Sequence, residues 1–221
     1  MYINLPYTKR ILGLDEDDTS RDAALQDIIA ASCDMIERSL RFKVLDHEVI
    51  EYKSGNRSHM LLLSGRYVSA INHVYEDAFG WFGDNPSGFD TSTELVAGVN
   101  YAWEKPSDGG TYGVGRLRRI GGVWSAPRMP SREYLLAERD MNRGNYKIVY
   151  RCGWQRDDIP ADLKFATALV VGMSERVAAS GGPTTGFSFE GFSESYGDTD
   201  PTSITRVQSI LKGYRKWIWP R

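Results

Sequence analysis

The sequence predicts an α+β fold in which helices near residues 20–41, 160–180 and 201–218 flank an antiparallel β unit over about residues 46–153. Three observations carry that prediction. The stretch after Ile159-Pro160 is apolar at helical spacing on nearly every side. At Asp46 the period of the apolar residues changes from helical to alternating. Near the C-terminus, Ile204, Val207, Leu211, Tyr214 and Ile218 recur at spacings of three and four. The corresponding organisation is one unit of residues 1–45 plus 154–221 and a second of residues 46–153.

Tyr2 to Gly13 reads as an apolar lead-in with a turn at Leu5-Pro6. Asp15-Glu16-Asp17-Asp18 has neither the bend glycine nor the closing glutamate of a calcium loop, so it reads as an acidic approach to a helix. Thr19-Ser20-Arg21-Asp22 resembles a capping box with Asp in place of Glu. The helix beyond it places Leu25, Ile28, Ile29, Ser32, Ile36 and Leu40 on one face, with Cys33 and Met35 beside the stripe.

From His47 to Lys53 polar and apolar residues alternate, and Ser54-Gly55-Asn56 turns the chain into a second strand, His59–Leu63. Further strands are expected over Arg66–Tyr75, at Glu94–Val96 and Val99–Trp103, over Gly115–Ile120, and over Tyr146–Cys152. In the last of these Tyr146, Ile148, Tyr150 and Cys152 face one way. The connections 78–93, 104–114 and 125–145 are long and polar, as functional loops are.

Pro160 suits the first position of the central helix, and Asp162 suits its dipole. Leu163, Ala166, Val170, Met173 and Val177 form its stripe, which Phe165, Leu169 and Val171 widen until little polar surface is left. Gly181-Gly182-Pro183 stops it. A Gly- and Ser-rich loop follows that carries Phe187, Phe189, Phe192 and Tyr196, more aromatic surface than a plain linker exposes. Asp200-Pro201 then opens the last helix. Its basic end holds Lys212, Arg215, Lys216, Trp217, Trp219 and Arg221, residue types that dominate binding hot spots.

Composition excludes several classes. The 221 residues are 41% apolar and 25% charged, ordinary for a globular chain. A net charge of −2 gives no bulk attraction to nucleic acid. Charge is nevertheless segregated: residues 76–110 carry seven acids against Lys105, and residues 113–147 carry eight bases against three acids. Residues 186–200 hold four acids and no base, whereas residues 201–221 hold five bases and no acid. Such blocks suggest a surface meeting its complement. Two distant cysteines, Cys33 and Cys152, imply reduced buried thiols. With no signal peptide and no apolar run near the ~20 residues of a bilayer span, a soluble protein made in cytoplasm is expected.

Chemistry is sparse. His47, His59 and His73 lack metal-ligand spacing and cysteine partners. Gly113-Val114-Gly115 precedes a strand, not a helix, so it is no phosphate cradle. Arg116, Arg118 and Arg119 could touch phosphate, with Arg116 and Arg118 on one strand face. No catalytic residue, metal site or cofactor is expected, and the chain does not read as an enzyme.

The order of these pieces resembles the head–tail connector (adaptor, or head completion) proteins of tailed bacteriophages. The motifs that carry the resemblance are Val149-Tyr150-Arg151-Cys152-Gly153-Trp154 followed by Ile159-Pro160-Ala161-Asp162-Leu163-Lys164, then Phe192-Ser193-Glu194-Ser195-Tyr196 and Leu211-Lys212-Gly213-Tyr214-Arg215-Lys216. The resemblance implies a small helical bundle with β elements and a non-enzymatic virion protein at the capsid–tail junction, present in the host cytoplasm before assembly. It implies a homo-oligomeric ring, typically twelvefold, that sits beneath the portal protein and adjoins a tail or stopper protein. DNA would pass through the lumen without sequence-specific binding, and no membrane is involved. Phe187, Phe189, Phe192, Glu194 and Tyr196 would reach a neighbouring subunit. Lys212, Tyr214, Arg215, Lys216, Trp217, Trp219 and Arg221 would dock on the portal, and Arg116, Arg118 and Arg119 would line the channel or an interface. The alternative is a β-rich binding module of a tail or surface-recognition protein, with Trp81, Trp103 and Trp124 as its platforms.

Overall fold

A helix that is apolar around its circumference must be covered on every side, and this requirement shapes the first half of the structure. The computed structural model describes residues 1–77, 89–104, 115–126, 144–180, 186–189, 192–195 and 205–215. Among the described residues four helices, α1 (Leu5–Leu12), α2 (Asp22–Leu40), α3 (Ala161–Ser180) and α4 (Thr205–Arg215), belong to a compact unit of Met1–Val44 and Arg156–Arg221. Helix α3 packs against all three others. Every residue from Ala166 to Met173 is buried, more than two full turns without an exposed position.

The first residues of the chain complete the cover. Tyr2 and Ile3 are buried, and the Tyr2 hydroxyl lies 2.8 Å from Thr167 Oγ1, whose own proton goes to Leu163 O at 2.9 Å. The one polar side chain in the buried run of α3 is thereby satisfied. Burial drives the Tyr2 pKa above its ordinary value.

Where a lead-in and turn are expected, the chain instead forms α1. Asn4 Oδ1 accepts from Tyr7 N at 2.9 Å, Pro6 sits in the first turn, and Gly13 at φ 64° closes the end. Pro6 thus acts as a helix-start residue. The capping box at Thr19–Asp22 does not form. Helix α2 starts at Asp22 with Arg21, which has no side-chain acceptor, at its N-cap, and the Asp22 carboxylate pairs with the buried Lys9 ammonium at 2.7 Å. The other two Lys9 protons go to Glu16 O and Asp18 O at 3.1 and 2.6 Å. The acidic approach is therefore wrapped around a lysine. Leu25, Ile29, Ser32, Cys33, Ile36 and Leu40 are the buried face of α2, while Ile28 is half-buried.

The second compact unit is Leu45–Gln155. Strands β1 (His47–Lys53), β2 (Met60–Leu62), β3 (Val68–Glu76), β4 (Tyr101–Trp103), β5 (Arg116–Arg119) and β6 (Tyr146–Cys152) make two antiparallel sheets of order β1-β6-β3 and β2-β5-β4. Tyr146, Ile148, Tyr150 and Cys152 of β6 meet Leu61, Leu117 and Tyr101 of the other sheet in one apolar core with Val68, Val74 and Trp124. The Trp124 ring stands edge-on to Tyr146 at 5.0 Å and 85°, and its Nε1 donates to Leu117 O at 3.1 Å. Glu94–Val96 is not a strand of its own: Glu94 bridges Tyr75, and Leu95 N donates to Val74 O.

Asn145 anchors the ends of the long connections. It is buried, accepts from Gly55 N and donates to Ser125 O, both at 2.8 Å, while its carbonyl accepts from Asp77 N. Its neighbour Gly144 lies so close to Lys53 that a Cβ would meet backbone nitrogen at 2.0 Å. The entry and exit of the unit are clamped together as well. Asp46 N donates to Trp154 O at 2.8 Å, and the Asp46 carboxylate accepts from Arg151 Nε, Gln155 Nε2 and Ser69 Oγ.

Leu169 is fully buried where α3 has no open side. Replacing it with Ala is expected to lower stability by about 2–5 kcal/mol, read as a lower urea midpoint with unchanged m-value.

Candidate functional site

Three groups of residues carry the expected assembly surfaces. The basic group lies on β5, the middle strand of its sheet. Period-two alternation exposes Arg116 and Arg118 and buries Leu117. Arg118 Nε stands 3.9 Å from the Glu104 carboxylate, an ion pair too long to be a hydrogen bond. Arg119 falls on the other face. Its Nη2 donates to Glu76 Oε2 at 2.8 Å, its guanidinium lies 5.4 Å above the Trp124 ring, and Glu76 Oε1 accepts from the Tyr146 hydroxyl at 2.7 Å. Burial and this carboxylate push the Tyr146 pKa up. Arg119 is thus a clip on the β core, and the exposed basic pair is Arg116 and Arg118.

Of the C-terminal group, Lys212 is exposed. The Tyr214 hydroxyl donates to Asp162 Oδ1 at 2.5 Å, which fastens α4 to the start of α3. Arg215 donates to Ser39 O at 3.0 Å, to Ser39 Oγ, and to Gln208 Oε1 at 3.2 Å. Ser39 sits in the last turn of α2, where carbonyls lack helical partners and a cation is favoured. Tyr214 and Arg215 therefore hold the bundle together. Lys216, Trp217, Trp219 and Arg221 lie outside the described residues.

The third group is a hairpin where a loop was expected. Strand β7 (Gly186–Phe189) pairs antiparallel with β8 (Phe192–Ser195), Phe187 opposite Glu194 and Phe189 opposite Phe192. This register sets Phe187, Phe189, Phe192 and Glu194 at positions of one face and Gly186, Ser188, Ser193 and Ser195 at positions of the other. The signal was present in the sequence as alternation on both sides of the two-residue connection Glu190-Gly191. Tyr196 lies outside the described residues.

Elsewhere the three histidines have local partners. His47 Nδ1 lies 2.9 Å from Leu45 O, His59 Nδ1 2.7 Å from Gly122 O, and His73 Nδ1 2.7 Å from Glu94 Oε1. Among the described residues no three His, Cys, Asp or Glu side chains converge on a metal-sized point. A cleft of about 90 Å³ bordered by Asp15, Asp18, Arg21 and Glu175 is far smaller than ligand pockets of roughly 300–1,000 Å³. Both cysteines are free and buried, and burial pushes the Cys152 thiol up to about 11. Trp124, proposed as a ligand platform, is in the core at 0% exposure, and Trp103 packs partly buried against it. Trp81 lies outside the described residues.

Sequence reasoning missed Glu51, which joins three segments. It accepts from the Ser64 amide and hydroxyl and from the Tyr150 hydroxyl, and it pairs with Lys53 at 2.9 Å. Burial raises its pKa, but the Ser64 bonds and Lys53 outweigh burial and hold it below the ordinary value of 4.5. A depressed carboxylate contributes stability that is complete above its unfolded pKa and is lost as pH falls through the folded one. Unfolding midpoints are therefore expected to fall below about pH 4.5, and Glu51→Gln is expected to flatten that fall while lowering the plateau near neutrality.

The fold as a whole is similar to chains of three solved structures. A chain in the neck of an empty GTA particle, computed with C6 symmetry, matches with a TM-score of 0.54 at 14% identity over 97% of this chain and 88% of that one. A chain in the neck of a native GTA particle, computed with C12 symmetry, matches with 0.52 at 13% over 99% and 95%. A chain in the virion of a native gene transfer agent particle matches with 0.55 at 15% over 97% and 89%. No protein-family model matches the chain, and no curated protein matches its sequence.

Proposed function

We propose that this protein is a structural head–tail connector of a tailed, phage-like particle. Copies would form a ring under the portal protein, extend the DNA channel and present a platform to a tail or stopper protein. The observation that carries the reading is the likeness of fold, over 97–99% of the chain, to chains from particle necks and a virion. The order of sequence motifs points the same way independently.

Ring closure needs two different patches that complement each other. The acidic hairpin segment and the basic C-terminal segment supply opposite charge for such contacts. In this reading Phe187, Phe189, Phe192, Glu194 and Tyr196 meet the next subunit. Lys212, with Lys216, Trp217, Trp219 and Arg221, docks on the portal. Tyr214 and Arg215 set the direction of that segment through Asp162 and Ser39. Arg116 and Arg118 face DNA or a neighbour with exposed charge, a contact to backbone phosphate that carries no sequence preference. The role needs no catalysis and no cofactor. The protein would act in the virion at the capsid–tail junction after synthesis in the host cytoplasm, and a twelvefold ring is the expected stoichiometry.

Light scattering across a concentration series, alone and with the portal of the same particle, tests this. A ring, or a monomer that binds the portal in fixed ratio, is expected. A strict monomer indifferent to the portal would refute the reading.

A further inference from the structure

Among the described residues, strand β1 leaves one row of backbone groups without partners, and the phase of the sheet identifies them. Asp77 N donates to Asn145 O, in the register that continues Glu76 opposite Tyr146, and Gly153 N donates to Tyr67 O. The odd-numbered residues of β6 therefore turn their amides and carbonyls to β3, and Tyr146, Ile148, Tyr150 and Cys152 turn theirs to β1. Their partners there are Lys53, Glu51, Val49 and His47. Glu48, Ile50 and Tyr52 must then direct N–H and C=O away from β6, and among the described residues no backbone bond is made to them on that side.

The two edges of this sheet are managed differently. Along β3 the register shifts twice, between Val68 and Ala70 and between Ile71 and His73, and Glu94 and Leu95 pair onto it. Bulges and coverage of this kind blunt an edge. Strand β1 pairs with β6 over seven consecutive residues without a shift. It contains no proline, and Ile50 and Tyr52 are 53% and 39% exposed. Of its charges, Glu51 and Lys53 pair with each other, and Glu48 accepts from Asn72 Nδ2 on the sheet itself. A straight edge with outward N–H and C=O groups and an exposed isoleucine is a template for another strand.

The chain itself carries a candidate strand. The β7–β8 hairpin is a sheet of two strands among the described residues, and such a pair has marginal stability until a further strand joins it. Gly186 to Ser195 contains no proline and no lysine to repel pairing. We propose that the β7–β8 hairpin of one copy adds to the β1 edge of the next, at Glu48, Ile50 and Tyr52, so that one sheet runs across the subunit boundary. The arrangement is heterologous, as ring closure requires. It rests on the ring reading above and specifies where the hairpin lands.

The test mixes two singly substituted full-length proteins, Ile50→Cys and Ser193→Cys, under assembly conditions and treats them with a short bis-maleimide. Cys33 and Cys152 are buried and serve as silent background. Cross-linked dimer is expected in the mixture and not in either protein alone. In parallel, Ile50→Pro removes one outward N–H at an edge position that tolerates proline, and is expected to give a folded monomer by circular dichroism that no longer forms rings. Ile50→Thr keeps the amide and is expected to assemble. Rings that form without cross-linked dimer, rings formed by Ile50→Pro, or cross-linking confined within one chain of the doubly substituted protein would overturn the docking and leave the ring reading intact. A wild-type chain that never assembles, alone or with portal, would remove both.

Discussion

The run from Ala166 to Met173 has no face that tolerates water, and the organisation of the helical unit follows from that constraint. An isolated helix of this kind would expose two turns of apolar surface, so helices from both ends of the chain must close over it. Residues 1–44 supply α1 and α2, and residues beyond 180 supply α4. Everything between has to leave the unit at Val44 and return at Arg156, which makes the β unit an insertion. Asp46, Arg151, Trp154 and Gln155 clamp the two crossing strands at the point where the insertion begins and ends.

Polar residues in this protein act mainly as clips between segments distant in sequence. Lys9 joins α1 to the acidic segment and to α2, Asn145 joins three connections, and Glu51 and Glu76 each join strands of the β unit to a tyrosine. Each is a group that would be costly to leave unpaired, so each fixes a register as well as contributing stability.

What is left outward suits assembly. Among the described residues, an exposed pair of arginines, a hairpin with three phenylalanines on its register, and a straight strand edge are the features on which the proposed assembly rests. Opposite charge on the segments before and after residue 200 favours head-to-tail contact between copies over self-pairing of like surfaces. A ring of the proposed kind would gain specificity from charge and geometry from backbone pairing.

The sequence by itself determined α2, α3 and α4 and the β unit, because burial writes a period into the chain, legible as the spacing of those helices and the alternation of β1 and β6; α1 was not legible in this way. The hairpin register was also written there, in Phe187-Ser188-Phe189 and Phe192-Ser193-Glu194, and was obscured by the glycines and serines around it. Only the tertiary structure decided the roles of polar residues. Asp22 could cap a helix or hold a lysine, Arg119 could face solvent or Glu76, and Trp124 could be a platform or a core residue. In each case the local sequence permits both, and the choice depends on a partner far away along the chain. Lys9 for Asp22, Glu76 for Arg119 and Tyr146 for Trp124 are such partners. Pairing with them depends on the folded geometry, which no local period encodes.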